Sequence, residues 1–182
     1  MPLSVYDVYN TLRKGKDYVL TSDYDVLWAG GNHSTALNRY NNYVETVNIP
    51  GTAIQTNESR TANSLVAKIA SELTYEDLEI SWRIPSDFEI FYTIEKWMSD
   101  VKAVDTNGYV TTGYFDDYCR KYKCQIQRGT TPASGQRKNT IVEINGLYPV
   151  NRQAISFSTE GNEYVKFTVT FACYQISLDT SF

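Results

Sequence analysis

The stretch Glu76-Asp77-Leu78-Glu79-Ile80-Ser81-Trp82-Arg83-Ile84 decides how this chain is read. Leu78, Ile80, Trp82 and Ile84 alternate with Glu79, Ser81 and Arg83. Successive side chains of a strand point to opposite faces, so one face enters a core and the other meets water. Pro85 ends the strand, and Ser86-Asp87 offers a helix cap. Phe88, Phe91, Ile94, Met98 and Val101 then recur on one helical stripe, with Ile90 and Trp97 beside it, which predicts an amphipathic helix.

Toward the C-terminus the pattern is β. Val165, Phe167, Val169, Phe171 and Cys173 alternate with Lys166, Thr168, Thr170 and Tyr174, predicting one long strand over Glu163 to Ile176, entered by a turn at Glu160-Gly161-Asn162. Gln153 to Ser158 and Thr140 to Ile144 read as strands, the latter running into Asn145-Gly146-Leu147-Tyr148-Pro149. Tyr118, Arg120, Tyr122, Cys124 and Ile126 share a strand face opposite Cys119, Lys121, Lys123, Gln125 and Gln127. The polar run 128–139, with two Gly and a Pro, reads as a mobile loop, and Asp105 to Gly113 as another loop.

Toward the N-terminus, Tyr43 to Ile49 reads as a strand ended by Pro50-Gly51, and Asp23 to Trp28 as one closed by Ala29-Gly30-Gly31-Asn32. Ser4 to Lys14 places Val5, Val8, Tyr9 and Leu12 at helical spacing. Residues 52–73 are polar and read as a protruding hairpin with its tip near Asn57 to Asn63 and its return strand over Ser64 to Ala70. A short helix over Ser64 to Glu72 is the alternative. The expected fold is one mainly β (α+β) domain over 1–182: an antiparallel two-sheet sandwich or barrel with one flanking helix.

Composition narrows the function. A net charge of −4 argues against gripping nucleic acid by its phosphates. Aromatic residues make up 14% of the chain and 15 of them are Tyr, which suits half-buried strands and protein interfaces. No stretch approaches the roughly 20 apolar residues that span a bilayer, and Met1 to Asp17 lacks a signal peptide's apolar block. Three cysteines, Cys119, Cys124 and Cys173, cannot all pair, which fits a reducing compartment and makes the Asn32 and Asn57 sequons irrelevant.

Candidate chemistry is sparse. The single histidine, His33, has no sequence-evident nucleophile or carboxylate partner and reads as a loop residue. Cys119 and Cys124 stand five apart, which on one extended strand points them to opposite faces and away from a shared metal. Asp116-Asp117 and Glu76-Asp77 read as solvated surface. Arg128, Arg137 and Lys138 lack the order of a phosphate-binding loop. Tyr118 and Tyr122 interleaved with Arg120, Lys121 and Lys123 fit a single-strand nucleic-acid platform, though also an ordinary half-wet sheet. No catalytic, cofactor-binding or metal-ligating residue is assigned.

Several segments in order resemble the tail tube proteins of contractile-tailed phages. They are Asn48-Ile49-Pro50-Gly51 leading into the polar arm; Thr74 to Trp82 followed by the helix Asp87 to Trp97; and Glu143-Ile144-Asn145-Gly146-Leu147-Tyr148-Pro149-Val150-Asn151, continuing through Ile155-Ser156-Phe157 into Val165 to Tyr174. The resemblance runs from about Val5 to Ser177 as an ordered set of elements. It implies a structural, non-enzymatic virion tail protein assembled in the host cytoplasm. Its copies would form hexameric rings with a continuous inner β-barrel, stacked into a tube for genome ejection. Implied partners are the tail sheath and baseplate or tube-initiator proteins, with DNA as passing cargo, no specific DNA binding and no membrane. Glu79, Ser81, Thr168 and Thr170 are candidates for polar outward faces. The 128–139 loop exceeds the family's usual hairpin. A tube-initiator, baseplate or other contractile-injection tube protein is the alternative reading, and a single-stranded nucleic-acid-binding β-barrel a more distant one.

Overall fold

A computed structural model describes residues 24–60, 66–104, 107–127, 140–155, 157 and 164–178 of the 182-residue chain. The readings for Ser4 to Lys14, for 128–139 and for Glu160-Gly161-Asn162 lie outside the described residues.

The alternation that opened the sequence reading folds as expected: Leu78, Ile80 and Trp82 are buried and Arg83 is exposed on strand β5 (Leu78–Arg83). The other elements are β1 (Asp25–Ala29), α1 (Ser34–Arg39), β2 (Val44–Asn48), β3 (Thr52–Arg60), β4 (Val66–Tyr75), α2 (Glu89–Val101), β6 (Lys102–Val104), β7 (Val110–Thr112), β8 (Lys123–Gln127), β9 (Thr140–Arg152) and β10 (Lys166–Leu178). Six strands form one curled antiparallel sheet in the order β1-β8-β9-β10-β5-β2, and β3-β4 and β6-β7 form separate two-stranded ribbons.

The strands β9 and β10 give this sheet its two halves. Strand β8 pairs with the beginning of β9, from Gln127↔Thr140 to Lys123↔Asn145. Strand β5 pairs with the beginning of β10, from Lys166↔Arg83 to Phe171↔Leu78. Because β9 and β10 are antiparallel, these contacts lie at opposite ends of the pair. The ladder shifts register at Thr170/Phe171, and Gly146 adopts φ 67°. A Cβ at Gly146 would stand 2.8 Å from Tyr174 Cβ, so only glycine lets the strands approach at the bend. Two packed sheets sharing their long strands become one curled sheet.

Helix α2 fills the hollow side. Ile90, Ile94 and Trp97 are fully buried against Ile80, Trp82, Val169 and Phe171. Trp97 is central: its ring lies 4.0 Å from Tyr122, 5.7 Å from Phe171 and 6.0 Å from Trp28. Its Nε1–H donates to the Tyr118 carbonyl at 2.9 Å, which satisfies the one polar atom this ring buries. The predicted stripe is therefore rotated, with Phe91 and Met98 only partly buried. The cap also differs from the sequence reading. Phe88, with φ 54°, occupies the cap position, while Asp87 Oδ1 accepts the Glu89 N–H at 3.1 Å.

Three other readings are corrected. Residues Asp116–Arg120 form a π-helical turn rather than the start of a strand, and β8 begins at Lys123. The loop predicted over Asp105 to Gly113 contains β7. Gln153 to Ile155 are outside any strand; the Gln153 N–H instead donates to the Thr168 carbonyl at 2.9 Å. The return of the hairpin is a strand, as read, and β4 runs on to Tyr75.

Candidate functional site

Residues opposite one another across a ladder share a face, so the register assigns the side of the sheet away from α2. Leu27, Gln125, Glu143 and Ser177 form one row across β1, β8, β9 and β10. Lys123, Asn145 and Gln175 form the next. In the other half, Asn151, Thr170, Glu79 and Asn48 make a row, and Thr168, Ser81 and Thr46 another. Glu79, Ser81, Thr168 and Thr170, proposed as a polar face from sequence, thus lie together. The face is dominated by amides and hydroxyls, which bond one another or the carboxylates among them: Ser81 with Thr168 at 2.8 Å, Asn48 to Glu79 at 2.8 Å, Gln125 to Glu143 at 2.9 Å.

Its cations are paired. Lys123 lies 3.5 Å from Glu143, and Lys166 and Arg83 lie 2.7 and 3.3 Å from Glu45. The hydrogen bond from Lys166, helped by Arg83, holds the Glu45 carboxyl below the ordinary range. Glu143 is lowered first by the Gln125 hydrogen bond, then by Asn145 and Lys123. Such a surface offers passing phosphates little to hold.

The β3–β4 ribbon prolongs the β2–β5 ladder. The last pair of one is Asn48↔Glu79 and the first of the other Thr52↔Tyr75. Between them the Glu76 N–H donates to the Gly51 carbonyl at 3.0 Å, and the Gly51 N–H to Glu76 Oε2 at 3.2 Å. Nine residues of strand extend the ribbon by about 30 Å. Ile54 is 63% exposed and Leu73 50%.

His33 is not the unpartnered loop residue expected from sequence. It is buried, its Nε2 lies 2.8 Å from Asp100 Oδ2, and its ring lies 6.0 Å from Trp97 and 6.2 Å from Tyr122, beside the stacked pair those two rings form. The partners are 67 residues apart in sequence, so only the tertiary fold reveals them. A cavity of about 430 Å³ opens beside Asp100, lined among others by Tyr114, Asp117, Tyr118, Lys121 and Tyr122. Tyr122 is 2% exposed, which removes the stacking platform proposed with Tyr118. Cys119 is buried on the π-helical turn, so the strand-spacing argument about Cys119 and Cys124 fails. Burial raises both thiols, Cys119 to about 11. Among the described residues no group of three or more His, Cys, Asp or Glu could hold a metal ion. Arg128, Arg137 and Lys138 lie outside the described residues.

A sequence model for phage tail tube protein matches residues 5–176. The chain belongs to the phage tail tube protein family. It is a structural subunit of a tail tube. Curated proteins give no match. Among solved structures, this tail tube subunit is similar to a chain of the anti-feeding prophage tube-terminating cap, with TM-score 0.59 and 13% identity over 91% of this chain and 93% of that one. It is similar to chains of the PVC extracellular contractile injection system. The sheath/tube terminator gives TM-score 0.58 and 13% identity over 90% and 97%; the sheath–tube complex gives 0.56 and 13% over 92% and 95%. At such identity these likenesses establish the fold.

Proposed function

We propose that the chain acts without catalysis, as stacked hexameric rings in a virion tail, with the polar sheet face lining the channel for DNA. The carrying observation is that face: rows of amides and hydroxyls whose cations Lys123, Arg83 and Lys166 are each held by a carboxylate. The sheath lies outside the tube, the baseplate or an initiator nucleates it, and the β3–β4 arm reaches the neighbouring ring. Assembly takes place in the host cytoplasm, and DNA passes without specific binding.

Electron microscopy of the purified protein tests the assembly. Stacked rings with a central channel support it; discrete monomers at high concentration, even beside sheath or baseplate partners, overturn it. The lumen assignment is tested separately with Gln125→Lys, Asn145→Lys and Thr170→Lys. The expected result is normal tubes with slowed, salt-sensitive DNA passage, and unchanged passage moves the lumen to another face. A tube-terminating role is the second reading, favoured by the likeness to two terminator structures. Rings that form but do not stack would select it.

A further inference from the structure

The β2–β5 ladder stops at Asn48↔Glu79 and the β3–β4 ladder starts at Thr52↔Tyr75, so the arm leaves the body across a step in the pairing. Pro50, within that step, has no N–H to give to a ladder. Among the described residues two hydrogen bonds cross the step, and both join Gly51 to Glu76. One is backbone to backbone. In the other the Glu76 carboxylate takes the place of a carbonyl, accepting the Gly51 N–H at 3.2 Å. The Glu76 carbonyl in turn accepts the Cys173 thiol of β10 at 3.0 Å. Glu76 is therefore tied to the facing strand on one side and to an inner strand of the body on the other. A Cβ at Gly51 would stand 2.7 Å from Glu76 Oε2 and 3.2 Å from Cδ, and its three nearest atoms all belong to that carboxyl group. Gly51 lies outside the left-handed region. What glycine supplies here is room for the carboxylate, not a turn.

We propose that Glu76 is a positioning residue for assembly: its carboxylate clasps the Gly51 N–H and sets the direction in which the β3–β4 arm leaves the body. A ribbon of about 30 Å that swings by about 20° at its root carries its tip about 10 Å away. A segment already held in its bound direction loses less freedom on binding, so the clasp favours polymerisation without touching the neighbour. The clasp itself stands on the hydrogen bonds; its use in assembly rests on the tube-subunit reading.

The test uses the full chain with spin labels on ketone side chains introduced at positions 72 and 96, which leaves the native cysteines as they are. Glu72 is on the arm close to its root and Lys96 on α2, and both are exposed. In dilute protein the distance between the labels should be narrowly distributed. Glu76→Ala removes the acceptor and Gly51→Ala displaces it, so each should roughly double the width of the distribution or more. Glu76→Gln keeps an oxygen for the same N–H and should keep the narrow distribution. A broad distribution in the unsubstituted protein overturns the clasp. So does an unchanged width in Glu76→Ala and Gly51→Ala, with or without a lowered denaturation midpoint, since the contact is then merely structural. Widening in Glu76→Gln as large as in Glu76→Ala shows that the bond to Gly51 is not the cause, and overturns it too. For tube formation, the critical concentration should rise about fivefold or more in Glu76→Ala and Gly51→Ala and stay near its original value in Glu76→Gln. Widened distances with an unchanged critical concentration overturn the role in assembly. Absence of tubes from the unsubstituted protein refutes the tube reading, while the distances in dilute protein still decide the clasp.

Discussion

The curled sheet and the β3–β4 arm are built from the same kind of ladder and held by different things. In the sheet, Trp82, Trp97, Phe167 and Phe171 are within 2% of complete burial. In the arm, nine residue pairs run out with Ile54 and Leu73 exposed. A two-stranded ribbon in water is at best marginally stable, because ordering its backbone costs more than its own hydrogen bonds return. The body is thus stabilised by its own core, whereas the arm's own ladder contributes little, and in the proposed assembly the neighbouring ring would supply the rest. That is what a subunit needs if it folds first and polymerises afterwards.

The sharpest way to break this contrast is at Trp97. Trp97→Ala should cost about 3–5 kcal/mol by leaving a large cavity among Trp28, Tyr122 and Phe171. Denaturant titration of the dilute protein would show it. A loss below about 1 kcal/mol would mean that the helix is not what stabilises the sheet. Next comes Gly31→Ala. Gly31 has φ 64°, and a Cβ there would stand 2.2 Å from the Tyr122 ring, which is itself packed on Trp97. The expected cost is about 2–3 kcal/mol, from overpacking and positive φ together. The same titration reads it.

How much of this was legible depends on how local each cause is. Strands β5 and β10 and helix α2 announce themselves because every second or every third-to-fourth residue enters one core. The turn Asp116–Arg120 was misread because Tyr118, Arg120, Tyr122 and Cys124 alternate by coincidence. The better signal was the charge spacing: Asp116 with Arg120 and Asp117 with Lys121 are i,i+4 pairs, a helical pattern. His33 beside Asp100, and Asn38 against Trp28, are tertiary meetings with no local trace. The polar face of the body was half legible. Glu79, Ser81, Thr168 and Thr170 could be named from alternation, but their continuation into Asn145 and Gln175 depends on the Gly146 bend.

On the arm the expected effect reverses. Ile54→Ser with Leu73→Ser should change the stability of the dilute protein by no more than about 0.5 kcal/mol, as exposed substitutions do, while abolishing or strongly reducing polymerisation in micrographs. Deleting Asn57 to Asn63 should behave likewise. Destabilisation comparable to Trp97→Ala would show that the arm belongs to the body's cooperative unit; normal tubes would show that it makes no assembly contact.

The smallest effect lies on the polar face. Glu45 is held below its ordinary value by Lys166 and then Arg83, and Glu143 by Gln125, Asn145 and Lys123. A carboxyl lowered in the folded state binds fewer protons there than in the unfolded chain. Its stabilising contribution is therefore complete above the unfolded value of about 4.5 and is lost as pH falls through the folded value. Denaturation midpoints of dilute protein should hold level from neutral pH to about 5 and then decline. Glu45→Gln should lower the neutral midpoint slightly and flatten the decline, because glutamine has no proton to gain. If the decline keeps its full slope in Glu45→Gln and in Glu143→Gln, the acid sensitivity comes from other groups. The paired cations of this face would then contribute nothing measurable to the body, and the proposed channel-lining role would be left as the reason for their arrangement.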